Sequence, residues 1–280
     1  GGGGDTLRNI TSCHHSGYSD KSIFDTTPFA QGLWQKLADF DKAFNLPRKF
    51  KIAFSCCEDD FSMAKFNDLG FIAKFANGQK GFEVFAGGGM GRESNPGIKI
   101  FDFVPEKEIY RIAVAAITFF FDCGNRNDRS KARFRFVLRE RGETEFRKTF
   151  AIYLESANGE PDFELIENIK TPQQNLCIAK LFIPHGDISP QEFAKIAKTA
   201  FSSGACSLRI SQSQDIFVAG INEEAKEKIL SEFPKYSANK FKALIKSCVG
   251  ASVCKIGLLD APAHVKAVYE KILPSLKSLS

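Results

Sequence analysis

The stretch Leu46-Pro47-Arg48-Lys49-Phe50-Lys51-Ile52-Ala53-Phe54 places three cations in four residues immediately before an apolar run. If residues 49–54 form a strand, its alternation puts Lys49 and Lys51 on one face and Phe50 on the other. Two ammonium groups side by side repel each other, so the pair suggests that an anion binds between them. The alternative, for this stretch alone, is a basic strand end that faces water.

The composition limits the classes of protein to which the chain can belong. Its 280 residues are 43% hydrophobic and 25% charged, which suits one large or two ordinary globular domains. The net charge of +5 is mild and indicates local anion pockets, whereas nucleic-acid binding usually needs a denser basic stripe. The sequence has no apolar run of about 18 residues and no signal-peptide pattern. Its eight cysteines are too sparse for a disulfide scaffold, so we expect a cytoplasmic protein. Because no segment of the sequence is long and apolar enough to cross a membrane, we expect no membrane partner.

Periodic apolar residues predict the elements of the first half of the chain. A helical pattern starts at Pro28, and residues 81–89 have the pattern of a strand that ends in three glycines. Residues 105–123 have the apolar spacing of a helix. Alternating residues over 132–138 favour a strand, and the turn-forming run at residues 156–161 indicates a domain boundary.

The second half has the order strand, helix, two strands, helix. The first strand is predicted near residues 178–183 and the helix after it near residues 190–201. A hairpin is predicted from residues 207–210 and 215–220, and a second helix from residues 222–233. This order of elements is that of a ferredoxin-like half-domain.

Five short motifs follow one another along the chain. They are Arg8-Asn9, the run Leu46–Phe50, the glycine triplet Gly87–Gly89, the run Gly124–Arg129, and Cys248 with Cys254 in a C-x5-C pair. This ordered set resembles the sirohaem and iron–sulfur sulfite/nitrite reductases, from Arg8 to about Asp260. The resemblance implies an α+β fold. Its parts would be a first sirohaem/cluster-type repeat in residues 1–156, a ferredoxin-like half-domain in 157–236 and the truncated start of a second repeat in 237–280.

The same resemblance implies roles for basic residues. Arg8 matches the family arginine that grips the substrate, and Lys49 and Lys51 match two lysines that bind the anion and donate protons. Sirohaem carries many carboxylates, so its site needs arginines and backbone donors. The candidates for contact with this cofactor are Arg48, Gly87, Gly88, Gly89, Arg126, Arg129 and Gln214. Without the resemblance, the two arginines of the Gly124–Arg129 run suit a surface turn, and the glycine triplet suits an ordinary loop.

By resemblance, Cys248 and Cys254 are the first pair of thiolates for a [4Fe–4S] cluster, which needs four. A later C-x3-C pair would complete the cluster, and this sequence contains none. We therefore expect the chain to be a fragment of a longer polypeptide, or one subunit of a split enzyme. The other cysteines are expected to be structural, and His14-His15 is expected to lie in a surface loop.

These assignments predict the six-electron reduction of sulfite to sulfide, with electrons from ferredoxin or a flavoprotein. Lys51 favours sulfite, because sulfite-reducing members resemble this chain in having lysine there, whereas nitrite-reducing members have asparagine. Reduction of nitrite to ammonia by the same machinery is the alternative. A hypothesis of another class is a non-catalytic fragment or degenerate paralogue that acts as a binding module.

Overall fold

The computed structural model describes residues 3–91, 93–164, 176–237, 246–255 and 257–277. The chain forms two compact units, which divide between Thr171 and Pro172. Each unit combines helices with a sheet of its own, so the predicted α+β class is confirmed.

A five-stranded sheet with the strand order β1–β2–β3–β4–β5 forms the framework of the first unit. The strands are β1 (Thr11–Ser12), β2 (Ile52–Ser55), β3 (Leu69–Ala76), β4 (Gln79–Ala86) and β5 (Ile98–Pro105). The pairs β1–β2 and β2–β3 are parallel, whereas β3–β4 and β4–β5 are antiparallel. All four residues of β2 are buried, which explains why the first three, Ile52, Ala53 and Phe54, are all apolar.

Three helices pack with this sheet in one apolar core. They are α1 (Thr27–Leu37), α2 (Ile109–Cys123) and α3 (Phe134–Ser156). At the centre of the core, the rings of Phe54 and Phe71 stack with their centroids 4.7 Å apart. Phe82 meets both rings edge-on, at 5.5 and 5.8 Å, in the arrangement that aromatic quadrupoles favour. Many of the 28 phenylalanines are therefore core residues.

Two predictions for the first unit are wrong. Residues 132–138 do not form a strand, because helix α3 begins at Phe134. Phe134, Phe136 and Val137 are all buried, so apolar residues occupy several sides of this first helical turn and imitate the period of a strand. His14 is buried against the rings of His15 and Phe61, so it does not lie in a surface loop.

The second unit contains a three-stranded antiparallel sheet with the order β6–β8–β7. Its elements are β6 (Cys177–Leu181), α4 (Pro190–Ser202), β7 (Ser207–Ile210), β8 (Ile216–Ile221), α5 (Glu223–Glu232) and α6 (Ala261–Lys277). The hydroxyl of Ser189 and the side-chain oxygen of Asn222 accept hydrogen bonds from the first turns of α4 and α5, and these N-caps fix where each helix begins. The predicted order strand, helix, two strands, helix is confirmed.

Candidate functional site

The two lysines that precede β2 lie where the sequence places them. Phe50 and Ile52 are completely buried, Lys51 is exposed, and Lys49 is half-buried, so the predicted alternation is confirmed. The main chain of Phe50 donates to Thr6 O at 3.0 Å, and Arg8 N donates to Phe50 O at 2.8 Å. These two bonds place Arg8 beside the two lysines, although it lies far from them in the sequence.

Lys49 lies in a group of positive charges. Burial lowers the pKa of its ammonium, followed by the charges of Lys51, Arg133, Arg8 and Arg48, in that order of effect. We call these five residues the cation cluster. The structure therefore brings together Arg8, Lys49 and Lys51, the three residues for which the sequence predicts a role at the anion. The cluster also contains an arginine, Arg133, that the sequence analysis did not select.

Arg133 was missed because its sequence context resembled a strand. It lies immediately before helix α3, and its guanidinium donates from Nη2 to Oδ2 of Asp68 at 2.8 Å. Its neighbour Arg135 donates from Nη1 to the main-chain oxygen of Met90 at 3.0 Å and lies over the ring of Phe136. The feature of the sequence that could have indicated Arg133 is its pairing with Arg135, one residue apart at the start of a helix.

Other predicted cofactor residues make contacts inside the protein. Arg48 and Arg129 share the carboxylate of Asp5, with nitrogen–oxygen distances of 3.0 and 2.9 Å. Although partial burial opposes it, these hydrogen bonds hold the pKa of Asp5 below its usual value. Arg126 donates to the main-chain oxygens of Asn45 and Phe121 at 2.9 and 3.2 Å. These arginines therefore tie together two of the predicted motifs, the runs Leu46–Phe50 and Gly124–Arg129, and the N-terminal segment.

Backbone conformation and close contacts within the protein also explain why glycine occupies the three positions of the triplet. Gly87 adopts φ +79°, which favours glycine. A Cβ atom on Gly88 would lie 2.2 Å from the main-chain oxygen of Lys65, and one on Gly89 would lie 2.9 Å from Cδ of Arg135. A side chain is therefore excluded at Gly88 by the backbone, and at Gly89 it would displace the side chain of Arg135. Contact of the triplet with a cofactor stays a prediction.

Two buried donors of the first unit fit an anionic cofactor such as sirohaem. The Nε–H groups of Arg133 and Arg135 are inaccessible to water and have no hydrogen-bond partner among the residues that the structure describes. Buried donors in native proteins normally have an acceptor, and carboxylates pair strongly with guanidinium groups. The two arginines therefore fit a tetrapyrrole that carries carboxylates.

The cysteine pair of the second unit lies in a short turn. Cys248 is exposed and Cys254 is partly exposed. The N–H of Cys254 donates to Gly250 O at 2.9 Å, and Gly250 has φ +66°, with no room for a side chain near Ala261 N. In the described parts of the chain, no three His, Cys, Asp or Glu side chains are arranged to hold a metal ion. The residues present thus do not fit a complete [4Fe–4S] site, and the pair supplies at most half of one.

Gln214 lies beside the segment that leads to this cysteine pair. Its Nε2 donates to the main-chain oxygen of Ser247 at 2.7 Å. Its Oε1 is buried and has no partner among the described residues. Next to it, Lys246 donates to the completely buried carboxylate of Asp215 at 3.0 Å. Gln214 and Asp215 thus hold the residues before Cys248, a function that the sequence analysis assigned to neither of them.

Comparison with known families identifies the chain. Residues 3–157 match the family described as the nitrite and sulphite reductase 4Fe-4S domain, and residues 170–236 match the nitrite/sulfite reductase ferredoxin-like half domain. The chain belongs to the nitrite and sulphite reductase family, whose members are oxidoreductases. The predicted family resemblance is thereby confirmed.

Some relatives of the chain are named nitrite reductases and others sulfite reductases. The ferredoxin–nitrite reductase of Synechococcus elongatus is 26% identical over 96% of this chain and 56% of its own length. The assimilatory ferredoxin-dependent nitrite reductase of Haloferax mediterranei is 26% identical over 94% of this chain and 50% of its own length. The sulfite reductase (NADPH) hemoprotein beta-component of Leptospira biflexa is 28% identical over 82% of this chain and 46% of its own length. The chain spans about half the length of the curated relatives it matches.

A solved structure has the same fold. Mycobacterium tuberculosis NirA superposes with a TM-score of 0.84 over 98% of this chain and 52% of its own, at 20% sequence identity. This likeness confirms the predicted combination of a reductase repeat with a ferredoxin-like half-domain. Within the described ranges, no helix has the length and apolar character needed to cross a membrane.

Proposed function

We propose that this chain takes part in the six-electron reduction of sulfite to sulfide. The observation that carries the proposal is the cation cluster around Lys49. At an effective dielectric near 20, one cation about 4 Å from an anion contributes on the order of 4 kcal/mol. A small oxyanion is therefore the ligand that would relieve the repulsion among these cations, and sulfite is such an anion.

The residues of the cluster have distinct parts in this proposal. The planar guanidinium of Arg8 orients the oxyanion, and Lys51 adds a second cation from the start of β2. Because burial and neighbouring cations lower the pKa of Lys49, its ammonium releases a proton more readily than an ordinary lysine. Each oxygen that leaves sulfite as water needs protons, and Lys49 is the proposed donor.

The proposal includes two cofactors. Sirohaem, when bound, would supply the site at which electrons reach the substrate. Arg133 and Arg135 offer buried donors to its carboxylates. The predicted contacts of Arg48, Arg126, Arg129, Gln214 and Gly87–Gly89 with sirohaem are part of the same proposal. Cys248 and Cys254 are proposed as two of the four thiolates of a [4Fe–4S] cluster, and the other two would come from outside this sequence.

Nitrite is the second candidate substrate. The observation that favours it is that the relatives from Synechococcus elongatus and Haloferax mediterranei are ferredoxin-dependent nitrite reductases by name. Lys51 favours sulfite. Ferredoxin or a flavoprotein is the proposed electron donor for either anion.

The proposed domain organisation follows the family pattern. Residues 1–156 are the first sirohaem/cluster-type repeat and residues 157–236 the ferredoxin-like half-domain. Residues 237–280, which contain the cysteine pair, are the start of a second repeat.

The proposal is tested by cofactor uptake. The chain is expressed together with the enzymes of sirohaem synthesis, and its visible absorption and iron content are measured. We expect sirohaem bands, with no iron beyond that of sirohaem because the chain has only two of four cluster thiolates. Arg133→Met should lower the sirohaem content several-fold. Arg147→Met removes a partly exposed arginine of helix α3, which is paired with Glu143, and should leave the sirohaem content unchanged. A folded but colourless wild-type chain contradicts the proposal and favours the binding-module hypothesis.

A further inference from the structure

Asp68 is a completely buried carboxylate at the base of the cation cluster. It lies immediately before strand β3, where Leu69 N donates to Lys51 O at 3.1 Å. A charged group without contact to water needs partners that compensate the loss of hydration, so the atoms around its two oxygens show what this residue does.

The two hydrogen-bond donors to this carboxylate among the described residues, Lys51 and Arg133, belong to the cluster. Oδ2 of Asp68 accepts the main-chain N–H of Lys51 at 2.9 Å and Nη2 of Arg133 at 2.8 Å. The side chain of Arg133 is only 14% exposed, so this ion pair is shielded from water. One oxygen atom thus fixes the backbone at one cation and the side chain of another.

The main chain of Asp68 makes a third connection. Its carbonyl oxygen accepts a hydrogen bond from Gly87 N at 2.9 Å, at the start of the glycine triplet. The residue therefore joins the segment before β2, the end of β4 and the start of α3. These segments are distant in sequence, and their relative position decides which charges face Lys49.

We propose that Asp68 is the positioning residue of the cation cluster: its carboxylate holds Arg133 and the Lys51 backbone where their charges act on Lys49. Its importance for the reduction of an anion rests on the proposed function. The arrangement itself needs neither cofactor nor substrate. The charged groups that face Lys49 are Lys51, Arg133, Arg8 and Arg48, and those that face Asp68 are Arg133 and Lys51.

A purely structural role would also explain a buried ion pair, so the test needs a measurement that stability alone does not change. The apparent pKa of Lys49 is such a measurement. It is obtained from the pH dependence of trace acetylation, quantified by mass spectrometry on the peptide that contains Lys49, with exposed Lys80 as internal reference. The wild-type chain is compared with Asp68→Asn, Arg133→Met and the double variant.

The expected shifts follow from the charges. Asp68→Asn keeps an acceptor for Lys51 N–H but removes the charge that holds the guanidinium of Arg133 beside Lys49. Release of Arg133 should raise the pKa of Lys49, whereas loss of the carboxylate charge alone would lower it equally with or without Arg133. Arg133→Met removes a cation and should raise it. If Asp68 acts through Arg133, the effect of Asp68→Asn should shrink to less than half in the Arg133→Met background. An equal effect in both backgrounds overturns the positioning role.

A matched control uses another ion pair of the same sheet. Glu83 on β4 contacts Lys74 and Lys99 at 2.9 and 3.1 Å, and neither lysine belongs to the cluster. Glu83→Gln should leave the pKa of Lys49 unchanged, and an equal shift in Asp68→Asn and Glu83→Gln overturns the proposal.

If Asp68→Asn does not fold, the Arg133→Met variant decides alone. An unchanged pKa of Lys49 in Arg133→Met is incompatible with the proposal. Acetylation of lysine needs no sirohaem. A result that overturns the positioning role of Asp68 is therefore distinguishable from a failure of the chain to take up sirohaem.

Discussion

The Nζ atom of Lys246 lies 3.0 Å from Oδ1 of Asp215, whose side chain is completely buried. The other oxygen of the same carboxylate lies 3.0 Å from Nζ of Lys180 and accepts the hydroxyl of Ser213 at 2.9 Å. Because Lys246 precedes Cys248 by two residues, the ion pair anchors the backbone that leads to the proposed cluster ligand. The hairpin between β7 and β8 thus supports the cysteine pair.

Replacing Asp215 should loosen this support. Asp215→Asn leaves two ammonium groups without their buried partner, so we expect the free energy of unfolding of the second unit to fall by about 2–4 kcal/mol. Hydrogen exchange of the β8 amides measures this change. Glu223→Gln removes a carboxylate whose side chain is 69% exposed, from its pair with Lys226, and should leave the exchange unchanged. Equal losses in the two variants would show that the burial of Asp215 has no energetic importance.

The cysteines should differ strongly in reactivity. Cys248 is exposed, whereas Cys13, Cys56 and Cys57 are buried together. A hydrogen bond with Cys13, followed by burial, raises the pKa of the Cys56 thiol, and the thiolate is the reactive form. We expect iodoacetamide at pH 8 to alkylate Cys248 at least about tenfold faster than the buried three, which should react only after denaturation. Rapid alkylation of Cys56 in the folded chain, seen by mass spectrometry, would contradict its structural role.

Phe82 should contribute strongly to the stability of the first unit. Its side chain is completely buried and packs edge-on against the stacked rings of Phe54 and Phe71. Phe82→Ala leaves a cavity and should lower the free energy of unfolding by about 3–5 kcal/mol in urea titrations. Phe75 on β3 is 49% exposed, and Phe75→Ala should cost about 1 kcal/mol or less. A loss at Phe82 as small as that at Phe75 would mean that the core collapses around the cavity.

Lys49 should lower the stability of the folded chain at neutral pH. Burial, followed by the charges of its neighbours, lowers its pKa, so the unfolded chain binds more protons between the folded and unfolded pKa values. Stability therefore rises with pH across that interval. Lys49→Gln removes the repulsion, and we expect a higher Tm than wild type at pH 7. The difference should vanish above about pH 10.4, where lysine is neutral in both states. Differential scanning calorimetry across this range checks the sign, and Lys80→Gln is the exposed control.

Lys51 should influence the choice between the two anions. In an enzyme that also contains the other two cluster thiolates and is loaded with both cofactors, Lys51→Asn should lower kcat/KM for sulfite relative to nitrite by about tenfold. This ratio corresponds to roughly 1.4 kcal/mol of transition-state binding. Turnover of each anion with a chemical reductant measures the ratio. Lys80→Asn serves as the control. An unchanged ratio would remove the reason for preferring sulfite, and nitrite would become the first candidate.

The sequence predicted the site best where local geometry decides it. Lys49 and Lys51 alternate with buried Phe50 and Ile52 because a strand fixes the direction of successive side chains. The positions of helices α4 and α5 were predictable because their apolar spacing and caps lie within one segment. The roles of Arg126, Arg129 and the other predicted cofactor residues stay predictions.

The remaining features depend on contacts between distant segments. Arg133 joins the cluster through a carboxylate 65 residues away in sequence, and no local pattern indicates such a pairing. The start of α3 was misassigned because its arginines alternate with buried phenylalanines. That alternation arises because Phe134 packs into the core, whereas Phe136, on another side of the turn, is buried beneath the guanidinium groups of Arg135 and Arg139. A period of two can therefore result from two buried environments around a helix.

The parallel pairings of β1, β2 and β3 have a thermodynamic consequence. They bring segments that are far apart in the chain into contact, so Arg8 and Lys49, which precede β1 and β2, are close together only after folding. An anion held by Arg8 and Lys49 would find no equivalent site in the unfolded chain. Such an anion is then a ligand of the native state alone, and its concentration shifts the folding equilibrium by mass action.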